Sequence, residues 1–310
     1  MSENRRVLLV IHTRRHEALT AALETCLKLS AAGIIPVMAS ADFVELEAFT
    51  QDKTQLEKIE FLDRDCALEQ LEVAMVLGGD GTILKAAELV REAQVPLIGI
   101  NLGHVGFLAE SERDGLAEAV DRVVAKDYLV TERMTLDVRV IVEGKEVYRT
   151  WALNEATVEK SERERMLEVV VEVEGHPLSS FGCDGMVIST PTGSTAYAFS
   201  AGGPVIWPTV EALLVVPLSA HALFARPLVI KPEALIAVEV LQRSAGHGVL
   251  WCDGRRTWQL PPGARVEAIR SDRPIKIARL HDTPFTDRLV RKFALPVAGW
   301  RGPDEVHRAE

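Results

Sequence analysis

The chain has 310 residues, of which 47% are hydrophobic and 26% are charged. This composition is that of a folded globular protein rather than a disordered one, and the length predicts two domains. The formal net charge of −10 argues against a nucleic-acid partner, because phosphate contacts need a basic face.

The first part of the chain alternates short apolar runs with helical spacing. The apolar runs predict strands that are buried on both faces, at 7–11, 34–39, 74–79 and 96–101. The helical spacing predicts helices over 15–31, 83–93 and 114–125. In the first helix one apolar face is expected to hold Leu19, Leu23, Leu27 and Ala31, with Gly33 ending the helix. This alternation predicts a parallel sheet covered by helices.

Near residue 132 the pattern changes to alternation of apolar and polar residues. The segments LDVRVIVEGKEVYRTWALNEATVEK (136–160) and MLEVVVEVEGHPLSSF (166–181) are typical of antiparallel strands, with EGKE as a hairpin turn. Helical spacing returns at 286–293. We therefore predict an α/β domain over 1–132, a strand-rich domain over 133–284 and a segment over 285–310 that packs back onto the first domain.

The cysteines and the apolar runs bear on location. Cys26, Cys66, Cys183 and Cys252 form no CxxC pair, and their spacing predicts free thiols in a reducing cytoplasm. The apolar stretch in MSENRRVLLVIH is too short for a signal peptide, and no run of about 18 apolar residues predicts a transmembrane helix. The sequence therefore predicts a cytoplasmic protein with no membrane partner.

The segment LGGDGTILKAAE (77–88) places three glycines after a predicted strand and before a predicted helix. Such glycines bring backbone N–H groups close to an anion, and a helix N-terminus favours phosphate. A carboxylate is repelled by phosphates unless it binds a metal or takes a proton. Asp80 is therefore a candidate general base or metal-linked carboxylate in phosphoryl transfer. The alternative is a tight turn in which Asp80 caps the helix from Thr82.

Other phosphate-transfer signatures are missing from the chain. GxxxxGK[ST], GxGxxG, HRD and DFG do not occur. If the protein transfers phosphate, it uses a loop of another design.

A second motif, GCDGMVISTPTGSTAYAFSAGGP, covers residues 182–204. A predicted strand runs into small hydroxyl residues and glycines, which suit hydrogen bonds to a sugar or a phosphate. The ring of Tyr197 could stack on a base. The alternative is a Ser/Thr-rich turn with Tyr197 in the core.

Taken together, the motifs resemble those of the NAD kinase family. The matching segments are GGDGT (78–82), NLGHVGFLAE (101–110), LNE (153–155), DGMVISTPTGSTAYAFSAGGP (184–204), HALFARPL (221–228) and CDGR (252–255). The resemblance covers roughly residues 5–302, and STPTGSTAY is its most specific part. The closing segment PFTDRLVRKFALPVAGWRG resembles the actinobacterial branch.

The resemblance implies an activity and a fold. The activity is transfer of the terminal phosphoryl group of ATP, or of polyphosphate, to the 2′-hydroxyl of the adenosine ribose of NAD, giving NADP, with Mg²⁺ as the expected metal. The fold is a Rossmann-like N-terminal domain with a parallel sheet and a β-sandwich-like C-terminal domain, with the active site in the cleft between them. Members of the family are usually homodimers or homotetramers, whose sites can borrow residues across the interface.

The resemblance also implies residue roles. Asp80 would be the base for the 2′-hydroxyl. The phosphate loop would consist of Gly78, Gly79, Gly81, Thr82 and Lys85. NAD would contact Asp80, Gly81, Asn154, Glu155, Arg165, Asp184, Thr192, Thr195, Ala196, Tyr197 and Ser200. Further candidates in a Gly-containing turn are Asp253 and Arg255.

Competing interpretations remain open for several of these residues. Lys85 also fits a solvated surface lysine, Arg165 a charged surface loop, and Asp253 and Arg255 a plain hairpin. Two other functions also remain open, a lipid or sugar kinase built on the same GGDG loop and a dinucleotide sensor without catalysis.

Overall fold

The structure is a computed structural model, and it describes residues 5–103, 106–161, 165–281 and 284–297. The strands are β1 (Arg6–Ile11), β2 (Ile35–Met38), β3 (Glu60–Phe61), β4 (Val73–Leu77), β5 (Leu97–Asn101), β6 (Ser111–Glu112), β7 (Leu129–Arg133), β8 (Leu136–Val142), β9 (Lys145–Ala152), β10 (Glu155–Lys160), β11 (Leu167–Val173), β12 (His176–Cys183), β13 (Gly185–Ser189), β14 (Leu213–Leu218), β15 (Leu228–Ile230), β16 (Ile236–Val240), β17 (Gly248–Cys252), β18 (Arg256–Leu260), β19 (Arg265–Arg270) and β20 (Ile275–Arg279). The helices are α1 (His16–Ala31), α2 (Ser40–Phe49), α3 (Asp80–Val90), α4 (Leu116–Ala125), α5 (Tyr197–Ser200) and α6 (Phe285–Phe293). Short 3-10 helices lie at Lys53–Leu56, Leu68–Gln70, Arg113–Gly115 and Gly193–Thr195.

The chain divides into two compact units. The first unit consists of Met1–Thr131 and Lys276–Glu310, and the second of Glu132–Ile275. The chain returns to the first unit at Lys276, upstream of the boundary at 285 expected from the sequence, because β20 is a strand of the first unit's sheet.

The first unit is built on a sheet with the strand order β3-β2-β1-β4-β5-β20-β7, with β6 beside β5. The strand pairs from β3 to β20 are parallel. One face packs on α1 and α4 through a shared apolar core, and α3 covers the other face with Ile83, Ala86, Ala87 and Val90. The expected parallel sheet with helices on both faces is confirmed, because apolar strands need cover on both sides.

Two details of the predicted helices were wrong. In α1, Leu19 is buried and Leu23 packs against the core as predicted, but Leu27 is 42% exposed and Ala31 is exposed as well. The buried face continues instead through residues such as Ala22 and Leu29. Residues four apart advance by about 40° around a helix, so a strict i+4 series leaves the buried face. The helix predicted from Ile83 starts earlier, at Asp80, because Gly79 takes an extended conformation and serves as the N-cap.

The second unit is a sandwich of two antiparallel sheets, which confirms the antiparallel strands predicted from the residue pattern and the sandwich implied by the family resemblance. Their strand orders are β15-β14-β13-β10-β17-β18 and β12-β11-β16-β19-β8-β9. Inward residues of both sheets form one apolar core. Tight turns with positive φ join β8 to β9 at Glu143–Gly144 and β11 to β12 at Glu174–Gly175. The first confirms the hairpin predicted at EGKE, and the second is a further hairpin in the segment predicted as antiparallel strands.

The C-terminal helix α6 belongs to the first unit. Its residues Phe285 and Phe293 approach Phe107, with ring centroids 6.1 and 5.7 Å apart. Among the described residues, none of the helices combines the length and the apolar character needed to cross a membrane.

Candidate active site

The GGDG loop lies at the carboxyl end of β4, where α3 begins. Gly78 N–H donates to the carbonyl of Ile100 on the neighbouring strand at 3.0 Å. The Thr82 side chain packs against Gly78, and a Cβ at Gly78 would lie 2.5 Å from Oγ1 of Thr82. Any other residue at position 78 would therefore force a shift. The loop therefore presents bare backbone at a helix N-terminus, which suits an anion.

Asp80 is the first residue of α3, and its carboxylate turns towards a different loop. Oδ2 accepts from the N–H of Phe107 and Oδ1 from the N–H of Leu108, both at 3.3 Å. A Cβ at Gly106 would lie 2.4 Å from Oδ1, so this glycine leaves room for the carboxylate. The side chain does not cap its own helix, and the alternative in which Asp80 caps from Thr82 is not what the structure contains.

The β1–α1 loop adds a cation that the sequence analysis did not single out. The sheet order makes the gap between β1 and β4 a topological switch point, since α1 leads to β2 on one side and α3 to β5 on the other. Ligands bind outside the carboxyl ends of strands at such points. Arg15 closes the β1–α1 loop, and its Nη1 lies 3.2 Å from where a Cβ of Gly103 would be. The exposed Arg15 side chain therefore reaches from the β1 loop to the β5 loop, across the end of β4.

Lys85 lies one turn into α3, and its Nζ is 3.3 Å from Oδ1 of Asp42 on α2. Asp42 is nearly buried, so this contact holds Lys85 towards α2. Helix α2 was not predicted from the sequence. Its buried residues are Asp42 and Leu46, so it has little of the apolar spacing that predicts a helix. A phosphate contact by Lys85 stays a prediction.

In the second unit three strand ends meet at one edge. The antiparallel register pairs Glu155 with Ser189 and Ala156 with Cys252, so the start of β10 lies beside the ends of β13 and β17. The residues that follow β13 bond directly to the loop before β10. Thr190 N–H donates to the carbonyl of Asn154 at 2.9 Å, and its hydroxyl donates to the carbonyl of Leu153 at 2.6 Å.

Gly193 completes this connection between the STPTG segment and the LNE segment. Its N–H donates to Oγ1 of Thr190 at 3.2 Å. A Cβ at this position would lie 2.1 Å from the carbonyl oxygen of Asn154, so only glycine fits without a backbone shift. The sequence analysis did not single out Thr190 or Gly193, although the run of small residues was the signal.

Asp253 holds the LNE segment through hydrogen bonds to its backbone. Its buried carboxylate accepts from the N–H of Leu153 at 2.9 Å, from the N–H of Asn154 at 2.7 Å and from Nη2 of Arg256 at 2.7 Å. Its φ is +54°, a turn conformation that Asp tolerates better than most residues. Burial raises the pKa of Asp253, against the opposing effect of these donors. Its observed contacts are structural, and a nucleotide contact stays a prediction.

Glu155 is a buried acid at the same edge. Burial, followed by the nearby charge of Asp253, raises its pKa to about 8, while the N–H of Tyr197 donates to the carboxylate and lowers it. Its Oε2 has no hydrogen-bond partner among the described residues. A buried polar oxygen without a partner indicates a site where a ligand group can bind.

The remaining residues of the STPTGSTAY region line the surface beside Glu155. The hydroxyl of Thr195 donates to the carbonyl of Thr192 at 3.2 Å. Ala196, with φ of −103° and ψ of −126°, separates the 3-10 turn from α5. Tyr197 and Ser200 are exposed on α5. The structure therefore brings Asn154 and Glu155 next to the segment that carries Thr192, Thr195, Ala196, Tyr197 and Ser200, through the contacts of Thr190, Gly193 and Tyr197.

Two predicted ligands lie away from this group. Asp184 precedes β13, at the strand end opposite Ser189, which is about 17 Å away along five residues. Lys160 lies 2.5 Å from its carboxylate and holds the pKa of Asp184 below its usual value. Arg165 lies at that same end, exposed, and donates to the carbonyl of Ala245 at 2.6 Å. Arg255, by contrast, is exposed in the turn after β17, and the end of β17 lies beside the start of β10 at the same edge as Glu155. Its ligand contact stays a prediction.

Two family models match this chain, one in its N-terminal part and one in its C-terminal part. A family model described as the ATP-NAD kinase N-terminal domain matches residues 7–128, and one described as the ATP-NAD kinase C-terminal domain matches residues 153–280. A protein named NAD kinase from Leifsonia xyli subsp. xyli is 60% identical over 304 residues, covering 98% of this chain and 99% of its own. A protein of the same name from Thermobifida fusca is 58% identical, covering 96% and 92%.

Two solved structures share the fold. Yeast NADH kinase complexed with NADH matches with a TM-score of 0.85 at 20% identity, covering 96% of this chain and 89% of its own. An NAD kinase from Archaeoglobus fulgidus in complex with ATP matches with a TM-score of 0.67 at 21% identity, covering 94% and 100%.

Proposed function

The chain belongs to the NAD kinase family, and from this premise we propose how its residues phosphorylate NAD. The enzyme is a phosphotransferase that uses ATP and NAD as its substrates. The matches leave no support for the lipid or sugar kinase or for the sensor without catalysis.

Asp80 accepts the proton of the acceptor. The 2′-oxygen of the adenosine ribose forms a bond to the γ-phosphorus, the bond from that phosphorus to the β–γ bridging oxygen breaks, and ADP leaves. The hydroxyl proton passes to the Asp80 carboxylate, as in other kinases with a loose transition state. The observation that carries this role is that Asp80 starts α3 at the glycine loop, with its carboxylate held by two backbone N–H groups from the Phe107–Leu108 segment.

The donor phosphates bind over Gly78, Gly79, Gly81 and Thr82 at the N-terminus of α3. Arg15 lies on the other side of the same switch point and contributes a guanidinium. Guanidinium is well suited to phosphate, because its planar fork can donate two parallel hydrogen bonds.

Mg²⁺ would be held at this donor site mainly by the substrate phosphates. The described residues contain no group of three or more side chains that could ligate a metal by themselves. Mg²⁺ commonly binds through substrate phosphates, waters and one or two carboxylates, and Asp80 is the carboxylate at this loop. When bound, the ion offsets charge on the transferring phosphoryl group.

The second unit recognises the dinucleotide. A Glu155 carboxyl with a pKa of about 8 keeps its proton at neutral pH, so it can donate to one ligand atom and accept from another. The Asn154 amide lies next to it, and the exposed Tyr197 ring can stack on a base. These groups suit the adenosine half of NAD.

We further propose a homodimer or homotetramer in a reducing compartment such as the cytoplasm. The position of Asp184, at the opposite end of β13 from Glu155 and Tyr197, supports a role in a partner's site. The four cysteines are all free and buried, which supports a reducing compartment. Mixing inactive Asp80→Asn and Asp184→Asn chains should restore activity if the site is shared, and no restoration would contradict it.

The test of the proposed roles is an NADP-forming assay. The protein is mixed with NAD, Mg²⁺ and either ATP or polyphosphate, and NADP is detected with an NADP-specific dehydrogenase. Asp80→Asn should keep NAD binding by calorimetry and lose about 10²-fold or more of kcat. A kcat within a few-fold of wild type would show that Asp80 is not the base.

A further inference from the structure

Arg288 on α6 contacts the segment that holds Asp80. Its guanidinium is largely buried, with 13% of the side chain exposed. Nη1 donates to the carbonyl oxygens of Phe107 and Ala109, both at 3.1 Å, and Nη2 lies 2.6 Å from Oε1 of Glu110. One side chain therefore binds three of the four residues of the 107–110 segment.

A single peptide group links Arg288 to Asp80. The carbonyl of Phe107 and the N–H of Leu108 belong to the same planar peptide. That carbonyl accepts from Arg288, while that N–H donates to Oδ1 of Asp80. Because the peptide is planar and its two polar groups point in opposite directions, fixing the carbonyl also sets the direction of the N–H. Hydrogen bonds arranged in series also strengthen one another.

The rest of α6 and β20 fix the same segment. The Phe107 ring lies near Phe285 and Phe293, one at each end of α6. The Glu110 side chain is only 1% exposed, and its second oxygen lies 3.7 Å from Nε of Arg279 on β20. Because a buried charge without a partner is strongly destabilising, the Glu110 carboxylate is held between the two guanidiniums.

The position of Asp80 depends on this segment more than on its own helix. Both of its hydrogen bonds are 3.3 Å long, slightly longer than is usual for N–H···O and therefore weak. The hydrogen bonds of its side chain go to Phe107 and Leu108 and not to residues of α3. A small shift of residues 107–108 would therefore move or release the carboxylate.

We propose that Arg288 is a positioning residue, which holds the Phe107–Glu110 segment so that its N–H groups aim the Asp80 carboxylate at the acceptor hydroxyl. This rests on the proposed role of Asp80 as the base. The C-terminal helix then contributes to catalysis without touching substrate.

The test compares Arg288→Lys with the matched change Arg291→Lys on the same helix. Arg291 is exposed, and its nearest carboxylate contact is with Glu112 at 4.0 Å. A lysine at 288 keeps one cationic nitrogen for Glu110 but lacks the second nitrogen, which in Arg288 donates to the carbonyls of Phe107 and Ala109. We expect kcat to fall about 10- to 100-fold in Arg288→Lys, with KM for NAD and ATP nearly unchanged, because misplacement of a catalytic group mainly slows chemistry. Arg291→Lys should match wild type.

A double variant separates positioning from a general loss of structure. In an Asp80→Asn background, Arg288→Lys should cause almost no further loss of the residual kcat, since residues that act as one unit are not additive. An equal fold-loss in both backgrounds, or a kcat for Arg288→Lys that equals that of Arg291→Lys, would overturn the proposal.

Two further results keep the tests distinct. If Asp80→Asn alone retains wild-type kcat, the proposed base is wrong, and the role of Arg288 falls with it. If Arg288→Lys does not fold, judged by its thermal midpoint against Arg291→Lys, then Glu110→Gln is the second variant. It weakens the hold on Arg288 and should lower kcat only when Asp80 is present. A loss that persists in the Asp80→Asn background would overturn the proposal.

Discussion

Asp253 offers the sharpest test of how the second unit builds its binding edge. The change is Asp253→Asn, which keeps shape and tolerates the φ of +54°. The carboxylate accepts from Leu153, Asn154 and Arg256. An amide accepts through one oxygen only, so its NH₂ group must face at least one of these donors.

The magnitude follows from these contacts. A hydrogen bond to a charged group contributes about 1.5–3 kcal/mol, and a donor left without a partner costs about 1–3 kcal/mol. Arg256 keeps its contact to the Trp151 carbonyl at 2.9 Å and its position over the Trp151 ring, which offsets part of the loss. We therefore expect Asp253→Asn to lower the free energy of unfolding by about 2–4 kcal/mol.

The assay is urea unfolding followed by tryptophan fluorescence. Four of the five tryptophans, at positions 151, 207, 251 and 258, lie in the second unit, so the signal reports mainly on that unit. The matched control is Glu143→Gln, the same acid-to-amide change at an exposed turn position with φ of +52°. A loss for Asp253→Asn below about 0.5 kcal/mol, the range of ordinary surface changes, would refute the reasoning.

Three other changes have definite expected outcomes. Gly193→Ala should destabilise the second unit by about 1–3 kcal/mol and raise KM for NAD, because its Cβ would meet the Asn154 carbonyl; an unchanged KM in steady-state assays would contradict this. The raised pKa of Glu155, about 8 against 4.5, contributes stability that is complete below pH 4.5 and lost as pH rises towards 8. Glu155→Gln should therefore flatten the pH dependence of the unfolding free energy between about pH 4.5 and 8. An unchanged slope would contradict the raised pKa of Glu155. Arg15→Met should raise KM for ATP about tenfold or more and leave KM for NAD alone, whereas equal effects on both would place Arg15 outside the donor site.

Local preferences determined much of the fold from the sequence. Apolar runs became buried parallel strands, and the turns Glu143–Gly144 and Glu174–Gly175 became hairpins, because glycine adopts positive φ freely. The GGDG loop and the STPTGSTAY segment were also visible, since both depend on small residues next to each other in the chain. The exposed Leu27 and the early start of α3 mark the limits of reading spacing alone.

Only the tertiary structure decided which distant residues meet. Strand order and register put Asp253 beside the LNE segment, brought Arg15 to Gly103 in the loop after β5, and brought the Phe107–Leu108 segment to the GGDG loop. These contacts join residues that are far apart in the chain, and no spacing rule encodes them. The physical reason is that backbone preference acts between near neighbours, whereas partners across a sheet are chosen by the burial and hydrogen bonding of the whole unit.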